Sequence, residues 1–361
     1  MAKLFEPIQV RGLDVRNRLW VPPMCEYSCE NRDGVVGDWH LVHLGSMASG
    51  GAGLIIAEAT GIVPEGRISP WCPGIYNDEQ VLAWRRVTDF VHTQGAKIAL
   101  QLAHAGRKAS THREQSGSGS VSIADGGWQT VSSTGEAFDG YEAPRQLETH
   151  EIAPLVQAWA AAAARAIAAG FDAVEIHAAH GYLLHQFLSP LTNQRTDEYG
   201  GSLENRAKFV LDVVAAIRAT IPNEAPIFVR FSATDYAEGG VTPDEIATVA
   251  KWCAELGADL FDISTGGLIT GVKIVTGPGY QVPVAEEIAE KVGQPVSAVG
   301  QITSALQAEQ ILEDGQIAVV MIGRQSMRDP HFALRAAHEL GVEVDYWPIQ
   351  YSRAKWPKEV F

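Results

Sequence analysis

Residues 151–182 read EIAPLVQAWAAAAARAIAAGFDAVEIHAAHGY, and this stretch decides the fold. Residues 151–169 repeat alanine, the best helix former, and Gly170 stands where a helix would stop. Residues 172–177 then form a short apolar run, as expected of a strand buried on both faces of a parallel sheet. The same pairing recurs outward in both directions. Strand-like runs lie at 18–22, 53–57 and 97–101 on one side, and at 226–231, 259–264, 295–299 and 318–322 on the other. Between them, residues 203–221 have a Ser202 start and a Pro222 stop, Thr242-Pro243 opens a helix over 244–256, and Asp329-Pro330 opens the last one. Eight strand–helix alternations without a break in composition predict one closed α/β barrel with a parallel sheet, the (β/α)8 or TIM barrel, over residues 1–361. Three stretches lie outside the alternation: an N-terminal cap at 1–17, a Ser/Gly-rich flexible loop at 113–127, and an aromatic-rich tail at 346–361.

Composition narrows the function. The 361 residues carry a net charge of −15, which argues against nucleic acid or an anionic membrane surface as partner. Four scattered cysteines are too few for a disulfide framework or an iron–sulfur cluster, so a cytoplasmic protein is expected. The N-terminus lacks the apolar core of a signal peptide, and no run approaches the length of a membrane span.

In such barrels the chemistry lies at the C-terminal ends of the strands. Those ends carry Pro22-Pro23-Met24-Cys25, Glu58-Ala59, Gln101 with His104, His177 with His180, Arg230, Ser264 to Gly267, Gly300, and Gly323-Arg324. Gly300 and Gly323-Arg324 follow the last two strands, the usual phosphate site of the fold, where glycine admits the phosphate and arginine supplies charge. With no dinucleotide fingerprint or Walker motif, a mononucleotide or sugar phosphate fits better than a dinucleotide. His177 and His180 can donate two hydrogen bonds to one oxygen, and Tyr182 can supply a proton; a structural histidine pair and a zinc site are the competing readings. An arginine ending an apolar strand, as Arg230 does, implies a buried anion or polar ring edge.

Together these residues resemble the Old Yellow Enzyme family, in its branch of thermophilic-like ene-reductases and xenobiotic reductases. The resemblance runs through Asn17-Arg18, Pro22 to Tyr27, the QLAHAGRK stretch from Gln101, the EIHAAHGY stretch ending at Tyr182, residues 195–206, residues 278–282, and Ile322-Gly323-Arg324. It implies non-covalent FMN at the barrel mouth, reduced by NADPH or NADH, and reduction of the C=C bond of enones and other activated alkenes. Pro22, Pro23, Met24, Cys25, Ala59, Gln101 and Arg230 would surround the flavin ring, and Gly300, Gly323 and Arg324 the phosphate. His177 and His180 would hold the substrate carbonyl, Tyr27 would line the pocket, and Tyr182 would deliver the proton. The ending Gln350-Tyr351-Ser352-Arg353 resembles that of the branch, which implies a homodimer or a tetramer of dimers with Arg353 lining the neighbour's pocket.

Departures from the family pattern stand at Glu26, at Val131 to Thr134, at Val299 and at Ala318. A sugar-phosphate aldolase or isomerase on the same fold would need a Schiff-base lysine or an enolising glutamate, for which Lys108 and Glu175 are the nearby candidates. A flavin-binding protein without turnover is the non-enzymatic alternative.

Overall fold

The computed structural model describes residues 2–357; Met1 of the cap and the last four residues of the expected tail lie outside them. A hairpin of β1 (Ile8–Val10) and β2 (Leu13–Val15) comes first. The barrel strands are β3 (Leu19–Val21), β4 (Leu54–Gly61), β5 (Lys97–Ala103), β8 (Ala173–Ala178), β9 (Ile227–Ser232), β10 (Leu260–Ser264), β11 (Val296–Ala298) and β12 (Val319–Met321), and the two-residue strands β6 (Val131–Ser132) and β7 (Arg145–Gln146) form a small parallel pair outside it. Each barrel strand pairs in parallel with its successor and β12 closes on β3, as expected of a TIM barrel. The second and third strands run further than the apolar runs suggest, because their pairing continues past a bulge between Ala57 and Thr60.

Ten helices wrap this barrel among the described residues: α1 (Asp38–Ser49), α2 (Asp78–Thr93), α3 (Thr149–Ala168), α4 (Leu183–Leu188), α5 (Leu203–Thr220), α6 (Pro243–Glu255), α7 (Val282–Val292), α8 (Ala305–Glu313), α9 (Arg324–Arg328) and α10 (Phe332–Glu339). Local chemistry sets their ends. The Ser202 and Thr242 side chains accept the backbone N–H groups of Asn205 and Glu245, and Pro243 fills the first turn of α6. The last helix departs from expectation. Asp329-Pro330 does not open it; α9 intervenes, and α10 begins at Phe332, with Asp329 Oδ1 accepting from His331 N–H at 3.2 Å. A residue before proline is pushed out of the helical region, and Asp329 takes an extended φ of −138°.

The barrel floor is apolar. Trp20, Leu54, Ala99, Ala173, Phe228, Leu260, Val319 and Met321 pack inside it, and the hairpin plugs it from below with Ile8, Val10, Leu13 and Val15. The barrel interior is therefore closed at that end. No helix among the described residues is long and apolar enough to cross a membrane.

Candidate active site

Side chains alternate along a strand, so every second residue faces the barrel interior. Two positions above Ala99, Ala173, Phe228 and Leu260 stand Gln101, Glu175, Arg230 and Asp262, all buried. The lining thus turns from apolar to polar on approaching the mouth. Gln101 Nε2 donates to Glu175 Oε1 at 2.8 Å, Arg230 Nε pairs with Asp262 Oδ2 at 2.9 Å, and Ser297 Oγ donates to Asp262 Oδ1 at 2.8 Å. Burial pushes both carboxyl groups upward, each opposed by the Arg230 guanidinium they share.

One more step up β8 stands His177, the register partner of Arg230. Its Nδ1 accepts the Ala179 N–H at 3.3 Å, which leaves Nε2 as the protonated, donating nitrogen. His180 follows in a left-handed turn with φ of 56°, and its Nε2 lies 2.7 Å from Ser264 Oγ. That contact leaves Nδ1 as the nitrogen of His180 open to a ligand. The rings of His177 and His180 meet edge-on at 5.2 Å, and those of His177 and Tyr182 at 4.8 Å. Burial first, then the Arg230 charge, drives both imidazoles well below their ordinary range, so they stay neutral. Burial raises the Tyr182 phenol well above 10, so it keeps its proton. Two neutral donors beside a protonated acid form an arrangement that can hold an oxyanion and protonate a carbanion.

The segment after β3 closes the other side. Cys25 and Tyr27 pack with Tyr182 and Trp128 against Ala59, Ala103, Ala105 and Cys72. Tyr27 adopts a left-handed φ of 53°, and burial raises its phenol as well. Burial, then the Glu58 charge, pushes the Cys25 thiol up to about 12, which keeps it a thiol rather than a reactive thiolate. The departure at Glu26 has local partners: the Trp39 indole donates to its Oε2 at 3.1 Å, and His43 Nε2 lies 3.4 Å from its Oε1. The departure at 131–134 does too, since Ser132 and Ser133 donate to Gln186 and Thr192 in the interior.

Beside Arg230 lies a cavity of about 400 Å³ lined by Tyr280, Gln281, Gly300, Gln301, Gly323 and Arg324, among others. A Cβ on Gly323 would press on Pro22 Cγ at 3.3 Å and Met24 Sδ at 3.4 Å, so this cavity abuts the Pro22–Met24 segment. Gly300 has φ of +125°, a conformation that favours glycine. One continuous mouth therefore offers arginine at both ends and close backbone in between, which fits a phosphate ester carrying a flat polar ring.

Arg324 is exposed at the rim, and Arg353 is exposed on the tail. The tail packs along α10, with Trp356 stacked on His338 at 5.4 Å, so Arg353 is not gathered with the imidazoles. Sequence reasoning gave no role to Asp262, Ser264, Gln281 or the real partners of Lys108. An aspartate inside the apolar run from Leu260 to Ile263 was the available signal for the first. Lys108 Nζ donates to the carbonyls of His180 and Gly267, both at 2.9 Å, and Glu175 sits under the mouth bonded to Gln101. Lys108 is therefore tied to backbone carbonyls rather than free for Schiff-base chemistry.

A parallel barrel with a glycine- and arginine-lined cavity and a histidine–tyrosine cluster at one mouth has the architecture of an α/β-barrel enzyme. The model of the NADH:flavin oxidoreductase / NADH oxidase family matches residues 3–343. An NADPH dehydrogenase of Listeria monocytogenes serotype 4a (strain HCC23) is 44% identical over 355 residues, covering 98% of this chain and 99% of the relative. Morphinone reductase in complex with tetrahydroNAD superposes with a TM-score of 0.77 at 30% identity, covering 95% of this chain and 92% of that one. The Old Yellow Enzyme homologue from Zymomonas mobilis gives 0.76 at 29% identity, covering 99% of both chains. A 2-naphthoyl-CoA reductase matches with a TM-score of 0.85 at 26% identity over 93% of this chain, which spans about half (52%) of that longer one. The chain belongs to the NADH:flavin oxidoreductase / NADH oxidase family, the Old Yellow Enzymes. It is accordingly an NAD(P)H-dependent flavin oxidoreductase with FMN as cofactor.

Proposed function

We propose that this enzyme reduces the C=C bond of α,β-unsaturated carbonyl compounds at the expense of NAD(P)H. The observation that carries the reading is the packing of two neutral imidazoles and a protonated phenol at the end of β8 and on the turn that follows it. The chemistry supplied by bound FMN is hydride transfer, from NAD(P)H and then to the β-carbon of the enone. His177 Nε2–H and His180 Nδ1–H hold the carbonyl oxygen and stabilise the negative charge that gathers there. For His180 to donate through Nδ1, the Ser264 hydroxyl turns its proton from Gln281 Oε1, 3.1 Å away, to His180 Nε2 across the 2.7 Å contact. Tyr182 gives its phenolic proton to the α-carbon. Arg230 offers its charge to the ring edge, Gln101, Ala59 and Pro22 to Cys25 frame the ring, Gly300, Gly323 and Arg324 hold the phosphate, and Tyr27 lines the substrate pocket.

Under anaerobic conditions, NADPH is expected to bleach the flavin band, and 2-cyclohexenone to restore it with one equivalent of saturated ketone formed. Reduced flavin that reoxidises only with oxygen would leave a flavoprotein of another activity.

Assembly extends the same reading. Arg353 is exposed on a tail whose Trp356 stacks on α10 of its own barrel, and we place this arginine at the substrate pocket of a neighbour in a symmetric homodimer, or a tetramer of such dimers. Truncation before Gln350 is expected to shift sedimentation toward monomer, and Arg353→Ala to raise the enone KM. A fully active monomer indifferent to Arg353→Ala contradicts this assembly.

A further inference from the structure

The turn that carries His180 is strained, and side chains bind most of its backbone polar groups. His180 and Gly181 have φ of 56° and 75°. The His180 N–H donates to Ser232 Oγ at 3.0 Å, and the Gly181 N–H to His185 Nδ1 at 2.9 Å. The Gly181 carbonyl accepts from Gln186 Nε2 at 2.6 Å. The His180 carbonyl accepts from Lys108, the one of these partners that carries a full charge. Its ammonium also donates to the Gly267 carbonyl and lies 5.2 Å from the centre of the Tyr182 ring.

Gly267 belongs to the turn that follows Ser264 on β10, and Ser264 holds the His180 ring. The two turns are in contact: a Cβ on Gly267 would lie 2.7 Å from His180 Cα, and one on Gly181 would lie 2.4 Å from the Gly267 oxygen. A slip of one turn past the other would move the His180 backbone relative to the hydroxyl that orients its ring. Ser232 Oγ also joins the turns, accepting the His180 N–H and donating to the Gly266 carbonyl at 2.8 Å, but hydrogen bonds from a charged donor are the strong ones, and Lys108 is the charged donor that spans both. Burial and then Arg107 bring the ammonium down to about 8, so it stays charged at neutral pH.

We propose that Lys108 is a positioning residue: its ammonium clamps the His180 turn to the Gly267 turn and so sets His180 for carbonyl binding. This rests on the functional reading above, in which His180 holds the substrate oxygen.

The test is a double-mutant cycle on the FMN-loaded enzyme, with 4-hydroxybenzaldehyde as a carbonyl-bearing phenol whose binding perturbs the flavin spectrum. Lys108→Met is expected to weaken its binding by about tenfold, the scale of a lost charged hydrogen bond, while Lys108→Arg recovers most of the affinity. Lys108→Met added to His180→Ala is expected to cost nothing further, because the lysine acts through the histidine. Losses that multiply in the double variant, or unchanged binding in Lys108→Met, would overturn the clamp while leaving the role of His180 intact. If His180→Ala itself binds the phenol as wild type does, the functional reading falls and the clamp with it. Should Lys108→Met fail to fold and hold FMN, Lys108→Gln runs the same cycle with the same criteria.

Discussion

Tyr182→Phe is expected to slow reoxidation of the reduced enzyme by an enone by roughly 10²–10⁴-fold, the span of a lost general acid. The phenol packs half-buried against His177 and keeps its proton well above neutral pH, so on that turn it is the group able to give one. Its neighbours there are the two imidazoles, which burial and Arg230 keep neutral. Reduction of the enzyme by NADPH needs no proton from this position and is expected to change far less. Stopped-flow traces separate the two halves. Equal slowing of both would give Tyr182 a binding role instead.

His177→Ala is expected to cost about 2–4 kcal/mol in the enone half-reaction, as for a lost oxyanion donor in a site screened from water. The size follows from its fixed tautomer: Nδ1 is occupied by the Ala179 N–H, so Nε2–H points its full donating capacity outward. Binding of phenols, which present an oxygen anion to the same donors, is expected to weaken in parallel. Unchanged phenol affinity would make the imidazole structural, the competing reading of the histidine pair. Together the two variants separate the acid from the oxyanion donors, which the 4.8 Å ring contact otherwise makes hard to tell apart.

Much of the fold, and the gathering of the candidate residues at one mouth of the barrel, was legible in the sequence. Strands buried on both faces must be short and apolar, so Ala173–Ala178 and its seven counterparts stand out against amphipathic helices. A polar residue at the end of such an apolar strand is costly to bury unpaired, which makes Gln101, His177 and Arg230 stand out. What stayed hidden are contacts whose partners leave no sequence trace. Lys108 binds backbone carbonyls, which every residue has, and Ser264 reaches His180 only because β10 lies two strands from β8 in the closed sheet. The start of α10 is less legible: Asp329-Pro330 suggests a capped first turn, whereas the proline holds Asp329 extended and the helix begins at Phe332.

The most direct measurement follows the hydrogen atoms themselves. With NADPH deuterated at C4 and 2-cyclohexenone in ordinary water, the saturated ketone is predicted to carry deuterium at the β-carbon and solvent hydrogen at the α-carbon. Deuterium at the α-carbon, or flavin turnover that leaves the C=C bond intact, would contradict the assignment of His177, His180 and Tyr182 to carbonyl binding and proton delivery.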